Sequence, residues 1–269
     1  MEAILAAKEK STEISVLEIS QGEVSFAIVG STPLVFNRMS EKAKEMLLLP
    51  RGRLTDADKA ARLKHNPVEE YRASVYRNTG DAPTTRLKFP AAGFKRTMQT
   101  AALDLPGTKK TEVGRLAWAV GEYVDIYGVP ELKMDVVRSA DINRTPDIRT
   151  RAILRDWACT ITIRFVQPKL NARGIANLLA AGGVIAGIGD GRQEKGALNF
   201  GQFRLVDLDD GDFLRITAEG GRAAQDAALD QYHCYDEETE NLLDWYSAEV
   251  IRRGRDKDSG SRRGKDEPA

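Results

Sequence analysis

The stretch ACTITIRFV, residues 158–166, alternates apolar and polar side chains without a break. Successive side chains of a strand point to opposite faces, so Cys159, Ile161, Ile163 and Phe165 share one face while Thr160, Thr162 and Arg164 share the other. The pattern predicts a strand with one buried face. On its C-terminal side, Asn171 stands as an N-cap before ARGIANLLAAGG, a helix expected to close at Gly182-Gly183. QFRLVDL then carries a strand with Phe203 and Leu205 inward and Gln202 and Arg204 outward. Toward the N-terminus, EVSFAIV places Val24, Phe26 and Ile28 on one side of another strand. Pro90 opens AAGFKRTMQTAALDL, whose Phe94, Met98 and Ala101 or Ala102 fall at helical spacing. RLAWAVGEYVDIYG reads as one or two strands broken near Gly121.

In chain order the elements are strand 23–29, helix 91–104, strand 116–126, strand 158–166, helix 171–182 and strand 201–207. This β-α-β-β-α-β order is that of a ferredoxin-like or RRM-like core, an α+β fold with an antiparallel sheet. Right-handed crossovers put both helices on one face and leave the other face free. The core is expected to occupy residues 1–207, with insertions at about 31–89 and 128–156. In the first insertion, short helices are expected after Ser40 and after Thr55, the latter stopped by Asn66-Pro67, followed by an extended piece at Leu87–Phe89. In the second, Pro130 opens a strand. Residues 208–253 read as an acidic helical extension, in which Asp236 caps a helix with Leu242, Trp245, Tyr246 and Val250 along one stripe. Arg252 and Arg253 complete that helix before Gly254, and 254–269 read as a disordered tail.

The chain has 269 residues, 42% of them hydrophobic, which is enough to bury a core. Forty basic and 40 acidic residues give a formal charge of zero, which excludes a uniformly basic, histone-like chain. The zero sum hides segregation. Residues 51–110 carry 13 basic and 6 acidic side chains, 138–204 carry 11 and 5, and 205–250 carry 2 and 13. Such asymmetry suits a nucleic-acid surface with an acidic appendage, or complementary ends that stack copies head to tail; ordinary solvated faces are the plain alternative. Two cysteines, Cys159 and Cys234, are too few for a disulfide framework. With His65 and His233 they offer no set of zinc-site spacing, so neither metal nor cofactor is expected. No run of 18 apolar residues exists and the N-terminus is polar, so no membrane span or signal peptide is expected.

The segment GIGDGRQEKGALNFG, from Gly187, concentrates glycines between the second helix and the last strand. Glycine lets main-chain N–H groups approach an anion closely, and Arg192 and Lys195 add charge; a plain connection with glycines at cap and turn positions is the competing reading. It is no dinucleotide fingerprint, because it follows a helix, and no P-loop, because Ala197 and Leu198 stand where Lys and Ser or Thr are required. Lys95 and Arg96, in the first turns of a helix, oppose its dipole, a conflict that a bound anion would relieve and that solvent also tolerates. Arg138, Arg144, Arg149, Arg151 and Arg155 follow one another with few acids between, suited to phosphate tracking or to salt bridges with the acidic C-terminal region. Arg164 and Arg204, with Thr160 and Thr162, make a weakly basic platform that lacks the exposed aromatics of an RNA-recognition sheet, so stacking there needs Phe200, Tyr76 or Tyr71. Trp118, Trp157 and Trp245 read as core or interface residues, His65 and His233 as structural, and DLDDGD at 207–212 as a surface turn lacking the spacing of a calcium loop.

The order of elements together with Gly187, Gly189, Gly191 and Gly196, then Asn199-Phe200-Gly201-Gln202-Phe203, resembles the RAMP superfamily, whose members include backbone subunits of CRISPR effector complexes. STPLVFNR, LKFPAAGFK and GIGDGRQEKGALNFGQF also resemble a widespread group of bacteriophage and prophage proteins, over roughly residues 23–207. The RAMP resemblance implies a protein that holds single-stranded nucleic acid, RNA ahead of DNA, without reading sequence, and that forms a homo-oligomer or larger nucleoprotein complex along it. It implies the cytoplasm of a bacterial host cell. No general base stands near the glycine loop in sequence, so the chain is expected not to be an enzyme. The expected contacts are Arg38, Lys95, Arg96, Arg144, Arg149, Arg151, Gly189, Gly191, Arg192, Lys195 and Phe200. A scaffolding or inhibitory protein of phage type that binds no nucleic acid is the alternative.

Overall fold

The computed structural model describes residues 18–39, 65–80, 83–138, 146–195 and 198–262. The alternation in 158–166 forms β9 (Ala158–Gln167), and it runs antiparallel to β1 (Ser20–Gly30) over ten pairs, from Ser20 opposite Gln167 to Val29 opposite Ala158. β10 (Phe203–Val206) flanks β1 and β5 (Ala117–Ala119) flanks β9, all antiparallel, giving the order β10-β1-β9-β5. That is the strand order of the ferredoxin-like core. Ile28, Ile161, Ile163 and Phe165 are buried against Phe94 and Met98 of α2 (Ala92–Asp104) and Ile175 and Leu179 of α4 (Ala172–Ile185). Both helices thus cover one face, as the apolar periodicities require.

Local chemistry moves several boundaries. Pro90 ends the strand β4 (Leu87–Pro90) instead of opening the helix, which begins at Ala92. Gly182 and Gly183 do not close α4; they lie inside it because a neighbour sits where their side chains would be. A Cβ on Gly182 would come within 2.8 Å of the Thr97 main chain in α2, and one on Gly183 within 2.7 Å of the Phe203 ring. The helix ends at Gly187, whose φ of +66° is the left-handed turn that favours glycine. The strand expected at 116–126 divides: α3 (Lys110–Leu116) precedes β5, and Gly121, at φ +82°, turns the chain into β6 (Tyr123–Asp125) of another sheet.

The insertions build two further three-stranded sheets. β2 (Leu34–Val35), β8 (Pro146–Leu154) and β7 (Pro130–Arg138) pair in the order β2-β8-β7, and β3 (Tyr76–Arg77) pairs with β4 and then β6. Asn66-Pro67 starts a helix instead of only stopping one: the Asn66 side chain accepts from Glu69 N and Pro67 occupies the first turn of α1 (Pro67–Ala73). The helices expected after Ser40 and Thr55 lie outside the described residues. At the C-terminus, Asp210 caps α5 (Gly211–Glu219), so DLDDGD is a helix entry. Phe213 and Ile216 of α5 are buried against Ala27, Val29 and Ala158, so one end of the sheet face expected to be free is covered. α6 (Arg222–Asp230) is anchored by Gln225, fully buried, whose carbonyl accepts from Arg86 N and Leu87 N at 2.7 and 2.8 Å. Asp236 caps α7 (Glu237–Arg262) by accepting from Thr239 N at 2.8 Å, and this helix continues through Gly254 into the stretch read as a disordered tail.

Candidate functional site

The glycine loop is built from protein packing. Gly187, Gly189, Gly191 and Gly201 hold φ between +65° and +85°. A Cβ on Gly189 would lie 2.6 Å from Leu34 Cδ1 and 2.7 Å from the Val35 carbonyl oxygen, and one on Gly201 would overlap the Ile188 carbonyl oxygen. The N–H groups donate inward as well: Ile188 to Gly201 O at 2.9 Å, Asp190 to Val35 O at 3.0 Å and Gly201 to Pro33 O at 2.8 Å. The glycines therefore let the loop pack onto β2, and this packing accounts for their left-handed backbone without a ligand. Among the described residues, the N–H groups of Gly189 and Gly191 donate to no protein acceptor.

Several predicted cations do meet beside this loop. Asp190 joins them: its Oδ2 accepts from Asn37 Nδ2 at 3.0 Å and pairs with Arg151 Nη1 at 2.7 Å. Burial, with the charge on Arg149, holds the Arg151 guanidinium below its ordinary value against the pull of Asp190. Arg149, two residues back on the same face of β8, is exposed and has no ion-pair partner among the described residues. Arg192 folds back, with Nη1 donating to Gly189 O at 3.1 Å and Nε 3.5 Å from Glu194 Oε2. Thr100 of α2 donates to Glu194 at 3.1 Å, and Arg96, one turn earlier, shares that flank of the helix. Lys95 falls on the opposite flank, with Gln99, and is separated from the loop. The Phe200 ring packs on Gly191 and is half-buried. Arg144 and the side chain of Lys195 lie outside the described residues.

Arg38 leads to a concentration of charge that the sequence reading missed. Its N–H donates to Ser74 O at 2.8 Å, beside β3. Here Arg77 Nη2 donates to Arg72 O at 2.7 Å, and partial burial, then the charges on Arg86, Arg72 and Arg38, hold the Arg77 guanidinium below its ordinary value while Asp226 pulls the other way. The acids at hand are already engaged. Glu69 pairs with Arg72 at 3.0 Å, and Asp226 takes Arg86 on both oxygens, at 2.5 and 3.0 Å. The arginines are spread over α1, β3, the residue before β4 and the segment after β2, so only their common location reveals them.

On the uncovered end of the central sheet, Arg164 pairs with Glu23 at 2.6 Å, and at the end covered by α5, Arg204 pairs with Asp210 and Asp212 at 3.0 and 2.8 Å. The expected basic platform is thus neutralised by its own neighbours. It does carry an aromatic: Trp118 lies opposite Arg164 and is half-buried on this face. Trp157 is core, its Nε1 donating to Thr32 O at 2.9 Å, while Trp245 is 57% exposed. Tyr71 is buried with its hydroxyl on Pro130 O and Ala228 O, so it is closed to ligand; Tyr76 lies 5.8 Å from Tyr123, ring to ring.

The acidic C-terminal region binds its own chain. His233–Tyr235 bonds β7 through Leu132, Lys133 meets Asp236 at 3.4 Å, and Arg155 Nη2 donates to Tyr235 O at 2.7 Å. It sits on the β7 edge of its sheet, whereas the glycine loop sits on the β2 edge, so the loop is not beneath it. His65, read as structural, has two partners: Nδ1 is 2.8 Å from Glu70 Oε1 and Nε2 is 3.1 Å from Asp147 Oδ1. Burial pushes the Cys159 thiol far up, out of the reactive range. Among the described residues no group of three His, Cys, Asp or Glu is placed to hold a metal ion, and no helix is long and apolar enough to cross a membrane.

No family model matches the chain, and no curated protein matches it. Its fold is similar to a chain of Type III-B Cmr-beta bound to cognate target RNA, with a TM-score of 0.35 and 10% identity over 70% of this chain and 59% of that one. It is also similar to Cmr6 from Pyrococcus furiosus, with a TM-score of 0.35 and 7% identity over 70% of this chain and 98% of that one. This chain therefore spans 59% of the length of the first neighbour.

Proposed function

We propose that the chain is a non-enzymatic protein that binds single-stranded nucleic acid through the phosphate backbone, without reading sequence. The observation that carries this reading is the gathering of Arg38, Arg72, Arg77 and Arg86 in one place, where Arg77 Nη2 donates to Arg72 O at 2.7 Å, the Arg38 N–H donates to Ser74 O beside β3, and Arg86 Nη1 donates to Asn78 O at 3.0 Å. Such crowding costs stability in the free protein, and a phosphate ligand relieves it. Arg96, Arg149, Arg151 and Arg192, on the neighbouring edge, extend the path along a strand. RNA stands ahead of DNA because of the resemblance to RAMP proteins, and copies pack along the strand by bringing exposed acids such as Glu237, Glu238 and Glu240 against a neighbour's arginines. The alternative, a protein-interaction role, draws support from the exposed Trp245.

The test is fluorescence anisotropy of labelled single strands and duplexes, RNA and DNA, across salt. Binding of single strands is expected, with log affinity falling by about 0.7 per phosphate contact per log unit of salt. Absence of binding to any single strand at about 50 mM salt overturns the reading, as does an affinity independent of salt.

A further inference from the structure

Where the central sheet leaves α5, β6 rises beside β9 and the two enclose a cleft of about 330 Å³ lined by Val120, Tyr123, Asp125, Tyr127, Thr160 and Thr162. We infer that this cleft takes one unstacked base of the bound single strand, with the ring of Tyr123 as its stacking surface. The inference rests on the reading above, since it names a base site for the same ligand.

Three features point to a nucleobase. Tyr123 is 41% exposed although it is a large ring on a strand, and Val120 beside it is 38% exposed, so the cleft offers a flat apolar wall. The ammonium of Lys88 sits over one face of the Tyr123 ring, 4.2 Å from its centroid, which leaves the other face for the base and holds a cation across the ring for the phosphate that flanks it. The rim is polar in the sense that a base edge needs. Asp125 Oδ1 accepts from Asn78 Nδ2 at 2.7 Å, while Oδ2 and the Thr160 hydroxyl have no partner among the described residues. A carboxylate there repels a phosphate and accepts a base N–H, so it orients the base inward and the backbone toward Lys88. Thr162 is already held by Ser25 at 2.7 Å, and Tyr127 by Thr84 at 2.8 Å, so the walls are set before ligand arrives. Stacking accepts any base, in keeping with binding that does not read sequence.

The experiment uses the full chain with uridine oligomers, intact and fully abasic, and Tyr123→Ala, Tyr123→Leu and Tyr123→Phe. Stacking of one base is worth about 1–3 kcal/mol, so Tyr123→Ala and Tyr123→Leu are expected to weaken intact oligomer about 5- to 150-fold, with Tyr123→Phe near wild type. The leucine variant keeps apolar contact with Tyr76, which separates loss of the ring from loss of packing. Binding of the abasic oligomer is expected to be insensitive to all three, and the salt slope to be unchanged. Oligomer carrying 4-thiouridine is expected to photocrosslink to the peptide containing Tyr123. Wild-type binding that Tyr123→Ala and Tyr123→Leu leave intact, with crosslinks elsewhere, overturns the cleft and spares the backbone reading; a wild-type chain that binds no oligomer overturns both.

Discussion

Replacing Gly201 by alanine tests whether the glycine loop is a strut or a phosphate cradle, and Gly80 supplies an internal control. Both glycines hold a left-handed φ, +74° at Gly201 and +91° at Gly80. A Cβ on Gly80 meets nothing within 4 Å, so Gly80→Ala carries only the conformational penalty, about 1–2 kcal/mol, part of which is offset by a stiffer unfolded chain. A Cβ on Gly201 overlaps the Ile188 carbonyl oxygen and lies 2.7 Å from its carbon. Since that carbonyl belongs to the main chain, the loop itself must move. Two hydrogen bonds are then at stake, Ile188 N to Gly201 O and Gly201 N to Pro33 O, at about 1 kcal/mol each, with overpacking adding about 1–3 kcal/mol. Gly201→Ala is therefore expected to be about 3 kcal/mol less stable than Gly80→Ala, which for a chain of this size is a melting temperature lower by about 6–12 °C. Scanning calorimetry on the two variants reads this difference directly. Equal melting temperatures would refute the strut, and a Gly201→Ala chain of full stability that had lost affinity for single strands would restore the cradle.

Combined replacement of Arg38, Arg77, Arg96 and Arg149 by alanine is expected to remove about four phosphate contacts, flattening the salt slope by about 2.8 log units per log unit of salt. Anisotropy titrations check it, and an unchanged slope refutes the assignment. Asp190→Asn removes a carboxylate that now holds Arg151 at 2.7 Å and would repel phosphate, so affinity is expected to rise at low salt; a fall would show that Asp190 holds the site in shape. Gln225→Ala leaves Arg86 N, Leu87 N and the carbonyls of Ile126, Gly128 and Gly220 without their buried partner, and is expected to cost more than about 3 kcal/mol in urea unfolding, with Gln225→Glu no better because it loses the donating amide. Asp226 is held below its ordinary value of 3.8 by the Arg86 hydrogen bonds. Its contribution is complete above that ordinary value and is lost as pH falls through the lower folded-state value, so Asp226→Asn is expected to flatten the acid limb of a melting-temperature profile.

The central sheet was legible in the sequence because its long strands keep one wet face except at the end covered by α5. In β9, Thr160, Thr162 and Arg164 face out while Ile161, Ile163 and Phe165 are buried, and period two marks such a strand. The region around Gly121 was harder to read for the opposite reason. AWA and YVD are three-residue strands in different sheets, and no periodicity survives in three residues. Gly182 and Gly183 misled because a glycine pair after an apolar run fits a helix stop and a close helix crossing equally well. The distinction rests on Thr97 and Phe203, which lie far away in the chain.

The candidate site was legible only where neighbours in sequence are neighbours in space. Arg149 and Arg151 alternate on β8, so their shared face follows from the strand period, and Arg192 lies within its own loop. Arg72, Arg77 and Arg86 were counted in the basic stretch 51–110, yet the count has no direction. They converge because β3 and β4 form a hairpin whose register sets Arg77 opposite Leu87, and because the Arg77 guanidinium bonds back to Arg72 O. The same hairpin sets Tyr76 opposite Lys88, and Lys88 in turn reaches the ring of Tyr123. One small sheet therefore presents guanidinium charge at its edge and aromatic surface on its face. A single strand needs both, charge for its phosphates and a ring for its bases, and charge alone would serve a duplex equally well. The proximity of Arg77 to Tyr76 is thus the feature that argues for a single strand over a duplex, and variants confined to Arg77 should weaken both forms while variants confined to Tyr123 weaken only the former.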